Sequence, residues 1–397
     1  MKALFENSRD LIAETNTDFI RPLANQIDWS WRLNGIIGAR GTGKTTLLLQ
    51  HLSVIHGIND EAVYISLDDI YFSDSKLIDF IKTFRLKGGK YIYIDEVHKY
   101  PGWAREIKNI HDLYKDIQIT FTGSSIIDIL KQDVDLSRRA VIYELPGLSF
   151  REFLLLSGIK KMEIVPISDL TKNHQEISIE LTKDFKPLKY FEEYLAYGYY
   201  PFFLEGVKSF KRKLKQVLNL VVETDLNFIE GYDPRNARKV NQLLFILAAN
   251  VPFKPNISKL SEKIGIHRNT LVQYLHYLEK ASVIHMLNPT GISISTLQKP
   301  EKIYLSNTNL AYTLAQDQID VGSIRETFFV SQLQTLGSIS IPQDGDFSFE
   351  DKYIFEIGGQ KKNRKQINHL ENAYVVSDEI ERGISNKIPL WLFGLLY

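Results

Sequence analysis

Cysteine is absent from the 397 residues, which excludes disulfides, thiolate metal sites and a cysteine nucleophile. An excess of one charge is missing too, since 48 Lys and Arg balance 48 Asp and Glu. No global field therefore points to nucleic acid or a membrane surface, and any such site has to be a local patch. No apolar run reaches the roughly 20 residues of a membrane span, and the C-terminal "IPLWLFGLLY" stops at about half of that. The N-terminal "MKALFENSRDLIAETNTDF" carries acidic residues and lacks the unbroken apolar core of a signal peptide. These absences predict a cytoplasmic protein without a membrane partner. The 9 histidines show no H-x-x-x-H spacing, so a histidine zinc site has no support. Internal repeats and low-complexity linkers are also missing.

What is present suffices for burial: 44% of the residues are apolar and 12% aromatic, with 24% charged. The length is too great for one ordinary core and predicts about two to four domains. Over residues 1–150, β-rich runs at "NGIIG", "AVYISL", "YIYID", "IQITFT" and "AVIYEL" alternate with helix-length stretches, as in a three-layer α/β domain with a parallel sheet. Residues 151–235 turn helical, with "SFREFLLLSG", "YFEEYLAYG" and "KRKLKQVLNLVVETDLNF" as amphipathic pieces. A compact helical module follows at 236–290. From 291 to 397 strand character returns in "KIYLSN", "KYIFEIGG", "AYVVSD" and "PLWLFGLLY", interrupted by a helix at "GSIRETFFVSQLQTL".

One segment carries chemistry by its spacing. Gly38, Ala39, Arg40, Gly41, Thr42, Gly43, Lys44 and Thr45 satisfy G-x-x-x-x-G-K-[ST] between a buried strand, "NGII", and a helix, "TTLLLQHLSVI". Glycines let the backbone curl so that successive N–H groups face phosphate oxygens, and the helix that starts through Thr46 adds the positive end of its dipole. Lys44 is the expected contact to the β- and γ-phosphates, and the Thr45 hydroxyl the expected Mg²⁺ ligand. The strand "YIYID" ends in Asp95 and Glu96. Asp95 is the expected metal-side acid, and Glu96 the group that orients and deprotonates the attacking water. The run "AVYISL" lies between the loop strand and the acidic strand, an insertion that belongs to the additional-strand class with a catalytic glutamate. The strand "IQITFT" leads into Thr122, Gly123, Ser124 and Ser125, where Ser124 is placed to touch the γ-phosphate or the water, and a serine-rich turn capping a helix at "IIDIL" is the plainer alternative. Arg138 and Arg139 follow, either as a charge-stabilising arginine from the same or a neighbouring subunit, or as surface salt bridges. Asp68 and Asp69 are candidates for the nucleotide site or for a strand-end turn.

Taken together, "GARGTGKTT", "IYIDEVHKYPGW", "FTGSS", "LSRRAVIYELPGLSFREFL" and "YLAYGYYP" resemble the bacterial and archaeal AAA-superfamily ATPases that join a phosphate-loop domain to a C-terminal domain of the DUF4143 type. The resemblance spans nearly the whole chain. It implies ATP rather than GTP, with Mg²⁺, and assigns the family's arginine to Arg139. The family usually has glutamine where this chain has His98. It commonly reads glycine-glycine-phenylalanine-proline where this chain has Gly198, Tyr199, Tyr200 and Pro201.

The remaining blocks offer further chemistry. "NISKLSEKIGIHRNTLVQYLHYLEKASVIHML" resembles a winged helix-turn-helix with its turn at Gly265. On duplex DNA, His267, Arg268, Asn269 and Gln273 would face the groove; the alternative is a module that only packs domains together. Glu326, Asp346 and Glu356 resemble the acidic set of the restriction-endonuclease-like fold, a candidate second metal site. Gly358 stands where that fold has lysine, and Lys361 and Lys362 lie past an expected turn. "KSFKRKLKQ" reads as the wet side of an amphipathic helix or as a phosphate contact. The sequence therefore predicts a phosphate-loop ATPase domain, a helical lid, a winged-helix-like module and a nuclease-like C-terminal domain. Its expected role is a nucleotide-driven switch acting on nucleic acid, DNA included, or on a protein partner, with homo-oligomerisation left open. The alternatives are an ATP-gated nuclease, a DNA-binding regulator, and a signalling ATPase with a non-catalytic tail.

Overall fold

The computed structural model describes residues 1–124, 136, 138–229, 231–291, 300–315 and 320–397. The expected helix at "IIDIL" and Ser125 lie outside them. The chain divides into two compact units, Met1–Pro146 with Phe228–Glu230, and Gly147–Asn227 with Gly231–Tyr397.

The first unit runs α1 (Lys2–Glu14), β1 (Leu33–Gly38), α2 (Lys44–Ile55), β2 (Ala62–Ser66), α3 (Tyr71–Asp74) and α4 (Leu77–Leu86). It continues with β3 (Tyr91–Asp95), α5 (Trp103–Leu113), β4 (Gln118–Ser124) and β5 (Val141–Glu144). The strands form one parallel sheet in the order β2-β3-β4-β1-β5. Their apolar runs serve two faces through the twofold alternation of a strand. Val63, Ile65, Ile92, Ile94, Ile119 and Phe121 join the core beneath α4 and α5. Ile36, Ala62, Tyr64 and Tyr93 face the opposite way, into a core shared with Leu47, Leu48 and Leu52 of α2. This is a parallel α/β sheet flanked by helices, of the phosphate-loop type. The strand inserted in space between the loop strand β1 and the acidic strand β3 is β4, which comes later in the chain than both, and not the "AVYISL" strand β2, which takes the sheet edge.

The second unit begins with α6 (Phe150–Leu156), α7 (Ile167–Leu181), α8 (Pro187–Glu193) and α9 (Val207–Glu223). A capping box starts α6: Ser149 accepts from the Glu152 N–H while the Glu152 carboxylate accepts from the Ser149 N–H. Then come α10 (Ala237–Ala248), α11 (Ile257–Ile264) and α12 (Arg268–Lys280), with Gly265 in the left-handed region at the end of α11. An antiparallel ribbon of β6 (Ile284–Leu287) and β7 (Lys302–Leu305) follows. The chain continues with α13 (Thr308–Leu314), α14 (Val321–Leu333), β8 (Ile339–Ser340), β9 (Phe347–Phe349), β10 (Tyr353–Gly358), β11 (Ala373–Ser377) and β12 (Lys387–Pro389). These last strands form a mixed sheet in the order β12-β11-β10-β9-β8, antiparallel from β8 to β10 and parallel from β10 to β12. The expected strand "PLWLFGLLY" is instead a 3₁₀ turn, Leu390–Leu395, with every side chain buried. An apolar run with no alternation fits a buried strand and a buried helical turn equally, and here packing against α6 and α14 decides. Among the described residues no helix is long and apolar enough to cross a membrane.

Candidate nucleotide site

The loop between β1 and α2 is shaped by close main-chain contacts. Gly38 has φ +156°, and a Cβ there would stand 2.4 Å from the Leu145 carbonyl oxygen at the end of β5. Gly43, at φ 94°, opens α2 from the left-handed region and offers no side-chain cap. The first-turn N–H groups of α2 are thus the donors an anion would use. Lys44 is 7% exposed and folds back over its own loop, where Nζ donates to the carbonyls of Gly38 and Ala39, each at 2.9 Å. Thr42 is buried, Arg40 and Gly41 are half-buried, and Thr46 is exposed.

Opposite the loop, Asp95 is 4% exposed at the tip of β3. Its Oδ2 accepts from the Thr45 hydroxyl at 2.7 Å and from the Tyr64 hydroxyl at 3.0 Å, and its Oδ1 accepts from Thr122. The expected pair Thr45 and Asp95 is therefore in direct contact. Tyr64 and Thr122 were not singled out for this role by sequence, because their shared partner is set only by the strand order. Burial, aided by Asp95, pushes the Tyr64 hydroxyl well above its ordinary pKa, so it remains a donor.

Glu96 sits at φ 53°, a left-handed conformation uncommon outside glycine, and its N–H donates to Thr122 Oγ1 at 3.3 Å. Burial raises its pKa, the Asp95 charge adds to this, and Lys44, Arg40 and Lys99 oppose it. His98 is buried, with Nε2 3.3 Å from Glu96 Oε2 and Nδ1 accepting the Ser124 N–H at 3.4 Å. Ser124 is 5% exposed at the tip of β4. The ring of Phe228 stands edge-on to His98 at 5.7 Å.

A further clamp was illegible in the sequence. Arg21, 6% exposed, donates from Nη1 to the Thr42 carbonyl at 3.1 Å and from Nη2 to the Pro146 carbonyl at 3.0 Å. It ties the phosphate loop to the end of β5. Asp68 pairs with Lys99 at 2.5 Å and Asp69 accepts the Tyr71 N–H, which is the strand-end turn reading of both.

Arg139 is not brought to the loop. It lies ahead of β5, whose Val141 is level with Asn34 near the start of β1, whereas the loop leaves the far end of that strand at Gly38. Its Nε and Nη2 instead meet Asp112 Oδ1 and Oδ2 at 2.8 and 3.0 Å, and Trp31 Nε1 donates to its carbonyl. A contact from Arg139 to the loop of its own chain would have to cross the length of the sheet.

The acidic set of the second unit also departs from expectation. Glu326 accepts from the Tyr304 hydroxyl at 2.6 Å and lies 3.6 Å from Lys302 Nζ. Asp346 accepts the Ile357 N–H at 2.7 Å, and Glu356 pairs with Lys362 Nζ at 2.5 Å. The lysine displaced in sequence thus returns to Glu356 around the turn. Among the described residues no group of three His, Cys, Asp or Glu side chains is disposed to hold a metal, although Asp346 lies near enough to Glu326 and Glu356 to add to the rise that burial gives their pKa values. Each carboxylate is already engaged by a protein donor. His267, Arg268, Asn269 and Gln273 are all exposed around the start of α12.

Residues 30–154 match the AAA domain family. Residues 188–320 match a domain of unknown function, DUF8612, which corrects the expected DUF4143 type. An uncharacterized protein of Methanocaldococcus jannaschii is 26% identical over 84% of this chain and 76% of its own length. A second uncharacterized protein of that organism is 24% identical over 78% of this chain and 68% of its own. The nucleotide-analogue-bound DnaA of Aquifex aeolicus is 17% identical over 68% of this chain and 86% of its own, with a TM-score of 0.28, a likeness too remote to carry an argument. The match over residues 30–154 thus makes the first unit similar to AAA-type phosphate-loop ATPase domains, and the match over residues 188–320 marks a distinct C-terminal domain.

Proposed function

We propose that the chain is an ATP-driven conformational switch acting on nucleic acid or a protein partner through its C-terminal unit. The observation that carries the reading is the contact of Thr45 and Asp95 at 2.7 Å beside the Gly38–Lys44 loop, with Glu96 next in the chain. The donor set fits a magnesium-bound triphosphate: uncapped N–H groups at α2, one buried ammonium, one hydroxyl and one buried carboxylate. Bound ATP and Mg²⁺ supply the anhydride bond and the neutralising charge. Lys44 exchanges its loop carbonyls for phosphate oxygens. Thr45 and Asp95 would hold the cation, with Tyr64 and Thr122, which donate to Asp95, keeping the carboxylate oriented. Glu96 accepts the proton of the attacking water at a carboxylate oxygen, and its raised pKa suits it to that task.

Calorimetry and phosphate release test this with two variants. Lys44→Ala is expected to lose ATP binding, and Glu96→Gln to keep binding while turnover falls by about 10²- to 10⁴-fold. Undiminished hydrolysis in Lys44→Ala would overturn the reading.

A further inference from the structure

We propose that the exposed face of α9 is a nucleic-acid contact that grips the phosphate backbone of a duplex without reading its sequence. The inference deepens the function proposed above, by naming the partner, and rests on it.

Helix α9 is two-sided over its first three turns, apart from Val207, which is exposed at its start. Phe210, Leu214, Leu218, Val221 and Val222 are buried, whereas Lys208, Lys211, Arg212 and Lys215 are exposed at the i, i+3, i+4, i+7 spacing of a single face. No acidic residue occurs in the helix before Glu223. The neighbouring Lys213 is paired with Glu205, but none of the four has a carboxylate partner among the described residues. The chain as a whole is electrically balanced, so this is a concentration of charge rather than a share of a general excess.

Helix stability alone argues against such a placement. All four cations lie in the first half of α9, toward the positive end of its dipole, and they repel one another along the face. A ligand with fixed, closely spaced negative charge relieves both penalties. The face spans about 10 Å at the helical rise. A duplex carries a charge every ~1.7 Å of axis, or about six over that span. Lysine-rich faces of this kind position a backbone, whereas base reading needs planar or bidentate groups. By contrast, the start of α12 offers one permanent cation, Arg268, beside His267, Asn269 and Gln273. The electrostatic contribution to binding therefore belongs to α9.

The test is fluorescence anisotropy of the full chain with a short labelled duplex, titrated across salt. The wild type is expected to bind at low salt, with affinity falling steeply as salt rises. The variant Lys208→Gln, Lys211→Gln, Arg212→Gln, Lys215→Gln is expected to flatten the log–log salt slope by about 3 to 4. Changing only the three lysines to arginine should keep the slope, because a phosphate needs the charge and not the lysine itself. Melting curves confirm that each variant is folded. Three outcomes overturn the proposal: no duplex binding by the wild type at about 50 mM salt, an unchanged slope in the folded glutamine variant, or α9-dependent binding to phosphatidylserine vesicles without binding to duplex. If duplex binding fails while Lys44-dependent hydrolysis persists, only this inference falls.

Discussion

His98 presents Nε2 to Glu96 Oε2 at 3.3 Å while its Nδ1 accepts the main-chain N–H of Ser124 at 3.4 Å. The Ser124 contact leaves the ring proton on Nε2, facing the carboxylate proposed above as the base. On that reading His98 is a positioning residue that stands between the tip of β4 and Glu96. His98→Ala is expected to keep ATP affinity and lower turnover, and His98→Gln, which retains a side-chain amide donor, to recover much of it. Steady-state kinetics separate the two, since a merely structural loss would lower affinity as well.

Arg21 satisfies two carbonyls that belong to different parts of the sheet's upper rim, Thr42 and Pro146. Arg21→Ala leaves both without this donor in a buried setting. The expected cost is about 1–3 kcal/mol of stability together with weaker ATP binding, read by melting with and without nucleotide. Unchanged affinity would show that the loop holds its shape without the clamp.

The His51 ring stacks on Trp29 with centroids 3.5 Å apart, and its Nδ1 lies 2.8 Å from the Tyr93 hydroxyl. Burial, reinforced by the neighbouring His56, lowers its pKa to about 4. A folded-state value below the unfolded one means that the unfolded chain takes up the proton first. Stability is then fully present above about pH 6.5 and falls as pH drops toward about 4, by at most ~1.4 kcal/mol per pH unit and less where solvent screens the ring. His51→Phe should flatten that acid slope in pH-dependent melting. An identical slope in the variant would assign the loss to other groups.

Glu356 is 1% exposed and rests on Lys362. Lys362→Met strands the carboxylate and is expected to cost up to about 3 kcal/mol at neutral pH, because the ammonium is partly solvated. The loss should shrink in acid as Glu356 protonates, and the double variant with Glu356→Gln should recover stability. Adding Mg²⁺ or Mn²⁺ should leave the melting of the second unit unchanged. A metal-induced rise that Glu356→Gln abolishes would instead support a metal site at these acids.

The phosphate loop is legible in sequence because it works through main chain. Only glycine tolerates φ 94° at Gly43 or the approach of Leu145 at Gly38, so the requirement is written as residue identity at fixed spacing. Asp95 and Glu96 are legible for a related reason, since a strand end is local. Arg21, Tyr64 and the Ser124 bond to His98 are not, because each partner is far away in the chain and is chosen by strand order. The C-terminal acids mark where the second sheet gathers charge, yet nothing local says that Tyr304, Lys302 and Lys362 would meet them first.

The position of β4 sets a gauge. With one strand between β1 and β3, the tips bearing Gly38 and Asp95 are two inter-strand spacings apart, roughly 10 Å. In the function proposed above, that gap is where a phosphate tail and its counter-ion would lie, with Thr122, whose hydroxyl donates to Asp95, on the strand between. The intervening strand is thus a spacer that holds the acid-bearing tip one strand away from the loop.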